Sequence, residues 1–325
     1  MTTLTPAFKN AYAQTASFQI SQQLSNNDAF TIAYVNTGGR DLMYLHNINL
    51  INPIATLTDG RPVYGNAPAT PAGCPGTNPG PSATRLDPCF NNITLEDVGA
   101  NSSYNALIVS YQHRFLHGLE ASASYTYSHT ICDGPDVNSF EQNSSIEDNT
   151  NLKRDRSNCI INRPQALTLS AVLEPQVKAE NKVLHTLLND NMFALLGNIS
   201  SGDEQNVASS SANFTGDTTA AQRPIGIGRY SIRGPKIAQI DLRYTRTLFT
   251  WKERVRTQFL FEANNLFNTV NITSLNTTLT VVPPPPPGNP YVNVGTVIGT
   301  PTNYLTPSGS VLEGRLVQFG LSIHW

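Results

Sequence analysis

The chain is short of charge. Asp, Glu, Lys and Arg make up 14% of its 325 residues, against roughly 25% in soluble globular domains. Only 6 of the 21 cations are lysine. With 21 Lys+Arg against 23 Asp+Glu the net charge is -2, so the basic excess of a general nucleic-acid binder is missing. No run of 18 apolar residues occurs, which excludes a transmembrane helix. Residues 1–10 (MTTLTPAFKN) lack the apolar segment of a secretory signal, so no export signal is expected here. Neither absence excludes crossing a membrane with strands. A spanning strand needs only ~10 alternating residues and barely registers in hydropathy. Neutral polar side chains replace the charge, with 33 Asn and abundant Ser and Thr.

Recognisable catalytic and cofactor signatures are also missing. There is no GxSxG elbow, HExxH, P-loop or EF-hand pattern, so neither an enzyme nor a cofactor is expected. Gly226-Ile227-Gly228-Arg229 lacks the third glycine of a dinucleotide loop. The acidic cluster Asp133, Asp136, Glu141, Glu147 and Asp148 offers carboxylates to a hard cation. Its spacing matches no binding loop, and the expectation is a solvated acidic loop offset by Arg154, Arg156 and Arg163. The four cysteines, Cys74, Cys89, Cys132 and Cys159, form no CxxC and no Cys/His cluster, so no metal is expected. All lie in Pro- or Asn-rich stretches. An even count there suggests two local disulfides and an oxidising compartment, the nearest pairing being Cys74 with Cys89 and Cys132 with Cys159. The alternative is four free thiols in a cytosolic protein.

Period-2 alternation is plentiful. In residues 119–129 (LEASASYTYSH) one face reads Leu119, Ala121, Ala123, Tyr125, Tyr127, and the other Glu120, Ser122, Ser124, Thr126, Ser128. A strand separates these sets completely, whereas a helix scatters them. The same pattern marks 104–115, 239–244, 255–264 and 317–325, and more weakly 12–24, 29–35, 163–173 and 191–200. The spacing therefore predicts an all-β chain of about nine antiparallel strands. Links alternate short (25–28, 116–118, 249–254) and long (36–101, 130–162, 201–236, 266–311), with 174–190 a longer link on the short side. An up-and-down meander puts all short turns at one end, as outer-membrane barrels do. The five-proline run 283–287 reads as a stiff loop outside any sheet.

The apolar faces can meet another sheet or lipid. Aromatics near the strand ends favour lipid, because amphipathic rings gather at the two membrane interfaces. Tyr125 and Tyr127 mark the long-loop end, and Phe115, Phe249 and Trp251 the short-turn end. The opposite faces are read as polar along their length and suited to a hydrated lumen. The last eight residues, QFGLSIHW, stop on an aromatic with no tail. Gln318, Gly320, Ile323 and Trp325 fit the polar-x-Gly-x-x-apolar-x-apolar signal by which an assembly machinery engages an exposed edge strand.

Several segments resemble the C-terminal barrel half of TonB-dependent outer-membrane receptors, most closely the acidobacterial Oar-like type with a carboxypeptidase-regulatory-like domain. They are AFTIAYVNTGGRDLMYLHNIN (29–49), NSSYNALIVSYQHRF (101–115), GLEASASYTYS (118–128), DRSNCIINRPQALTL (155–169), IAQIDL (237–242) and VRTQFLFEANNLFN (255–268), besides the terminal QFGLSIHW. The resemblance implies an up-and-down partial barrel over residues 1–325, one domain with no plug, in the bacterial outer membrane. It implies outer-membrane lipid and the barrel-assembly machinery as partners, TonB only through the plug region of a parent protein, and an unspecified small ligand or polymer as substrate. Nine strands are too few to close such a 22-stranded barrel, so the chain is expected to be a fragment or to start at a misassigned Met1. The alternatives are a secreted soluble β-sheet adhesin or ligand-binding module, whose apolar faces would form a dry core, and a small standalone porin, which an odd strand count disfavours.

Overall fold

The computed structural model describes residues 1–65, 84–116, 118–134, 146–178, 185, 188–211, 213–251, 255–309 and 312–324. Nine strands follow one another in one antiparallel sheet, each paired with its neighbours in sequence. They are β1 (Tyr12–Gln23), β2 (Asp28–Asn47), β3 (Thr94–Leu116), β4 (Leu119–Cys132) and β5 (Gln165–Leu173), then β6 (Asn191–Ser200), β7 (Ile237–Trp251), β8 (Val255–Asn264) and β9 (Leu316–His324). Two short strands extend the sheet: Thr2–Leu4 runs parallel to the start of β3, and Ser157–Asn158 pairs with the end of β4. β1 and β9 are its two edges, and the sheet is open. The expected all-β meander and its strand order are what the structure has.

All short turns gather at one end. In the β1–β2 turn Leu24 N–H donates to Asp28 O at 2.9 Å, and Ser25 Oγ caps the Asp28 carboxylate at 2.5 Å. Gly118 closes the β3–β4 turn with φ +83°, and a Cβ there would stand 1.9 Å from Glu174 O. Only glycine fits, on both counts.

Two strands outrun the expected boundaries. β2 has 20 residues and β3 has 23, where 29–35 and 104–115 were expected. A spanning strand needs roughly 9–11, so about half of each rises past the others at the long-loop end. The register slips between Gly39 and Leu42, where Asp41 has φ +50°. That bulge breaks the alternation and bends the strand, and above it Leu42, Met43, Tyr44 and Leu45 follow one another with no period-2 pattern, which hid the extension. The first long link is accordingly 48–93 rather than 36–101.

The apolar core is in the long links, not behind the sheet. Leu57 and Val63 of link 48–93, Phe214 of link 201–236 and Val294 of link 265–315 are at most 3% exposed and pack together, with Ile225 and Tyr291 around them. Residues 283–287 belong to no strand, as expected. The large apolar side chains of the sheet stay open: Phe18 is 66% exposed, Leu321 69% and Phe319 71%. A soluble sandwich would bury them against a second sheet.

Candidate functional site

Residues directly opposed in an antiparallel ladder share a face, so the register gives the content of each face. One row reads Ile20, Ile32, Val109, Tyr125, Leu167, Ile199, Ala238 across β1 to β7. Another on the same face reads Leu119, Leu173, Phe193, Tyr244, Phe261, Phe319 across β4 to β9. Rings touch along this second row and the next: Phe193–Tyr244 at 4.9 Å between centroids, Tyr244–Phe259 at 6.4 Å, Phe259–Phe319 at 6.3 Å and Phe261–Phe319 at 5.4 Å. These contacts form an aromatic belt at the short-turn side. Apolar rows without a break over six and seven strands make a surface suited to hydrocarbon.

The other face is wetter. One row is hydroxyl or amide throughout: Ser21, Thr31, Ser110, Ser124, Thr168, Asn198, Gln239. Hydroxyls bond across it, Ser21 to Thr31 at 3.0 Å and Ser110 to Ser124 at 3.0 Å. Nearer the turns, Arg243 pairs with Glu262 at 3.3 Å, and Gln318 lies beyond Glu262. The face is not polar along its whole length, however. Ile108, Val172, Leu196 and Leu260 stand opposite Thr126, Glu120, Asp241 and Thr245 respectively, which places them inward. Leu196 is 60% exposed. An inward wall with apolar patches suits contact with protein or ligand as well as water.

The expected girdle residues fall as follows. Tyr125 and Tyr127 are outward and exposed, and Phe115 is exposed beside the β3–β4 turn. Tyr127 is the ninth residue of β4, counting from Leu119. Trp251 ends β7 opposite Val255. Of the terminal-strand residues, Gln318 and Gly320 are inward, and Ile323 is outward and 56% exposed. A Cβ at Gly320 would meet Leu260 Cβ at 3.5 Å, an ordinary contact, so space does not demand glycine there. Trp325 lies outside the described residues. The outward ladder Phe193–Tyr244–Phe261–Phe319 was not singled out from the sequence. Its members are separated by up to 126 positions, and only the register aligns them.

The long links build a cap at the other end. Cys132 and Cys159 are joined by a disulfide with Cα atoms 5.5 Å apart, stapling the end of β4 to the following link. Arg229, 4% exposed, donates to Cys132 O at 3.0 Å and Gly134 O at 2.5 Å. Cys89 is also disulfide-bonded, and Cys74 lies outside the described residues.

Glu147 is not solvated, contrary to expectation. It is 7% exposed and accepts from Arg61 Nη1 at 2.7 Å and Arg223 Nη2 at 2.9 Å. Arg223 Nη1 reaches Asp155 at 3.0 Å, and Arg61 Nε reaches Asp59 at 2.9 Å. Asp148, 4% exposed, pairs with Arg154 at 3.1 Å. Arg156 pairs with Asp133 at 3.9 Å, while Arg163 turns instead to Asp203 at 2.7 Å. Asp136 and Glu141 lie outside the described residues. Burial pushes the Glu147 carboxyl above its ordinary value, the Arg223 and Arg61 guanidinia pull it down, and Asp155 adds to the rise.

Arg61 also stacks on the Phe214 ring, 5.1 Å from its centroid. Asn149 Nδ2 donates to Asn47 O at 2.8 Å and Asp217 Oδ2 at 3.1 Å, tying two links to the top of β2. Links 48–93, 133–164 and 201–236 are thus locked to one another. Arg61 carries the one sequence signal that could have revealed this: Asp59-Gly60 is a tight-turn pair, and it closes the hairpin Ala55–Thr56 with Pro62–Val63. Among the described residues no group of three or more His, Cys, Asp or Glu is placed to hold a metal ion.

Comparison with known proteins agrees with this geometry. Residues 1–229 match the family described as outer membrane beta barrel domain. No curated protein matches in sequence. In fold the chain is similar to the outer membrane transporter YddB from Escherichia coli, with a TM-score of 0.52 at 9% identity. That likeness covers 98% of this chain and 33% of YddB, so the chain spans about a third of that protein's length.

Proposed function

This chain belongs to the outer membrane beta barrel domain family, and from that premise we propose that it serves as the C-terminal barrel wall of a TonB-dependent outer-membrane transporter. The observation that carries the reading is the pair of opposed rows: apolar across β1 to β7 on one face, hydroxyl and amide across the same strands on the other. Such a slab separates hydrocarbon from a wet lumen, and the locked cap at the long-link end shapes ligand access. The likeness to a transporter of about three times its length supports a partial barrel within a larger protein. TonB would act through a plug region of that parent. The barrel-assembly machinery would engage β9 through Gln318, Gly320, Ile323 and Trp325, and Trp325→Glu should lower outer-membrane assembly of the parent. A siderophore, a glycan and a peptide are all compatible as the transported substrate, and the chain itself is proposed to do no bond chemistry. The coding DNA upstream of Met1 tests the parentage. An in-frame plug domain is the expected result, and a stop codon after an unrelated gene would contradict it.

A further inference from the structure

Near the short-turn end the outward face holds an open groove of about 420 Å³, walled by Phe193 of β6, Leu242 and Tyr244 of β7, Phe261 of β8, and Pro175 and Leu188 of link 174–190. Arg246 and Asn191 stand at its rim. Arg246 is directly opposite Asn191 on one side and Phe259 on the other, two residues along β7 from Tyr244. It therefore lies on the outward face. Arg243 and Arg256, the other described cations of β6 to β9, occupy inward positions opposite Glu262 and His324. Asn191 Oδ1 accepts from Tyr244 Oη at 2.6 Å and from Arg246 Nη1 at 3.5 Å, which holds the guanidinium at the mouth of the groove.

A cation on a lipid-facing position costs about 2–4 kcal/mol at the bilayer midplane and about 0–1 near an interface. At the interface its natural counter-charge is phosphate, which a guanidinium fork matches well. The groove walls are aromatic and aliphatic, and they open toward the hydrocarbon. Whatever fills them arrives from the lipid side. We propose that this groove binds an anionic phospholipid of the leaflet at the short-turn end, with an acyl chain along Phe193, Leu242, Tyr244 and Phe261 and the phosphate on Arg246. The inference rests on the outward rows facing lipid.

The test uses the full chain bound to vesicles of phosphatidylcholine alone or mixed with phosphatidylglycerol. After extraction in mild detergent, lipid retained per protein is measured by mass spectrometry. The wild-type chain should retain phosphatidylglycerol in preference to phosphatidylcholine. Arg246→Gln should lose about fivefold of that preference, the equivalent of ~1 kcal/mol for one cation near a membrane surface, while still retaining phosphatidylcholine. Leu242→Trp, which fills the groove and leaves the cation, should lose both lipids. Arg40→Gln, on a strand remote from the groove, should change neither. An unchanged lipid ratio in Arg246→Gln would overturn the proposal, as would displacement of phosphatidylglycerol by inorganic phosphate, which would make the occupant a soluble anion. Failure of the wild-type chain to associate with either vesicle would overturn the outward-face reading itself, and the site with it.

Discussion

An arginine scan along β4 tests the assignment of faces with known energies. A strand rises about 3.4 Å per residue, and at a tilt of about 40° each residue climbs roughly 2.6 Å. The ten residues 119–128 of β4 then cover about 25 Å, the height of the apolar band of an outer-membrane barrel. Ala123 falls near the middle and Tyr127 near the upper edge. Ala123→Arg should cost about 2–4 kcal/mol, and Tyr127→Arg only about 0–1. Ser124 is next to Ala123 but inward, where its hydroxyl meets Ser110 at 3.0 Å. Ser124→Arg loses that bond and nothing more, about 1 kcal/mol. Denaturant unfolding of the vesicle-bound protein, followed by the fluorescence of its 2 tryptophans, gives each difference. Equal costs at Ala123 and Ser124, or the larger cost at Ser124, would refute the assignment of lipid and lumen faces.

Gly118→Ala places a Cβ 1.9 Å from Glu174 O at φ +83°, so it should destabilise by well over the ~1–2 kcal/mol of the left-handed conformation alone; the same unfolding assay reads it. Cys132→Ser opens a staple between positions 27 apart, worth about 3.5 kcal/mol by loop entropy; faster hydrogen exchange in link 133–164, with β5 to β8 unchanged, is the expected sign. Glu147→Ala leaves two buried guanidinia without their shared acceptor and should cost the cap about 3–5 kcal/mol, read as faster exchange at residues 57–63 and 214–223. Because burial raises the Glu147 pKa on folding, this carboxyl's contribution is complete below the ordinary carboxylate value and is lost as pH rises through the raised one. The advantage of the wild-type cap over Glu147→Gln should therefore shrink as pH rises through that window, and a growing advantage would contradict the direction of the shift.

The strands were legible because lipid and water on opposite sides impose strict alternation, as in residues 119–129. Nine strands in chain order followed from that pattern and from the short turns. The tops of β2 and β3 were not legible, because a bulge at Gly39–Leu42 shifts the phase and Leu42 to Leu45 are apolar without alternation. The cap was hidden for another reason. Arg61 and Glu147 are 86 residues apart, and Arg223 and Glu147 are 76 apart. Their opposite charges cancel in the composition, so a buried network reads as an ordinary solvated loop. The inward apolar residues, such as Leu196 opposite Asp241, break the binary pattern locally, and no period marks them.

Site-directed nitroxide labelling along β4, one residue at a time from Ala121 to Thr126 in the membrane-bound protein, measures which phase each side chain meets. Collisions with lipid-soluble oxygen should peak at Ala121, Ala123 and Tyr125, and collisions with a water-soluble nickel complex at Ser122, Ser124 and Thr126. Equal shielding of the first three from both reagents would place them in a dry protein core and contradict the assignment of an open lipid face.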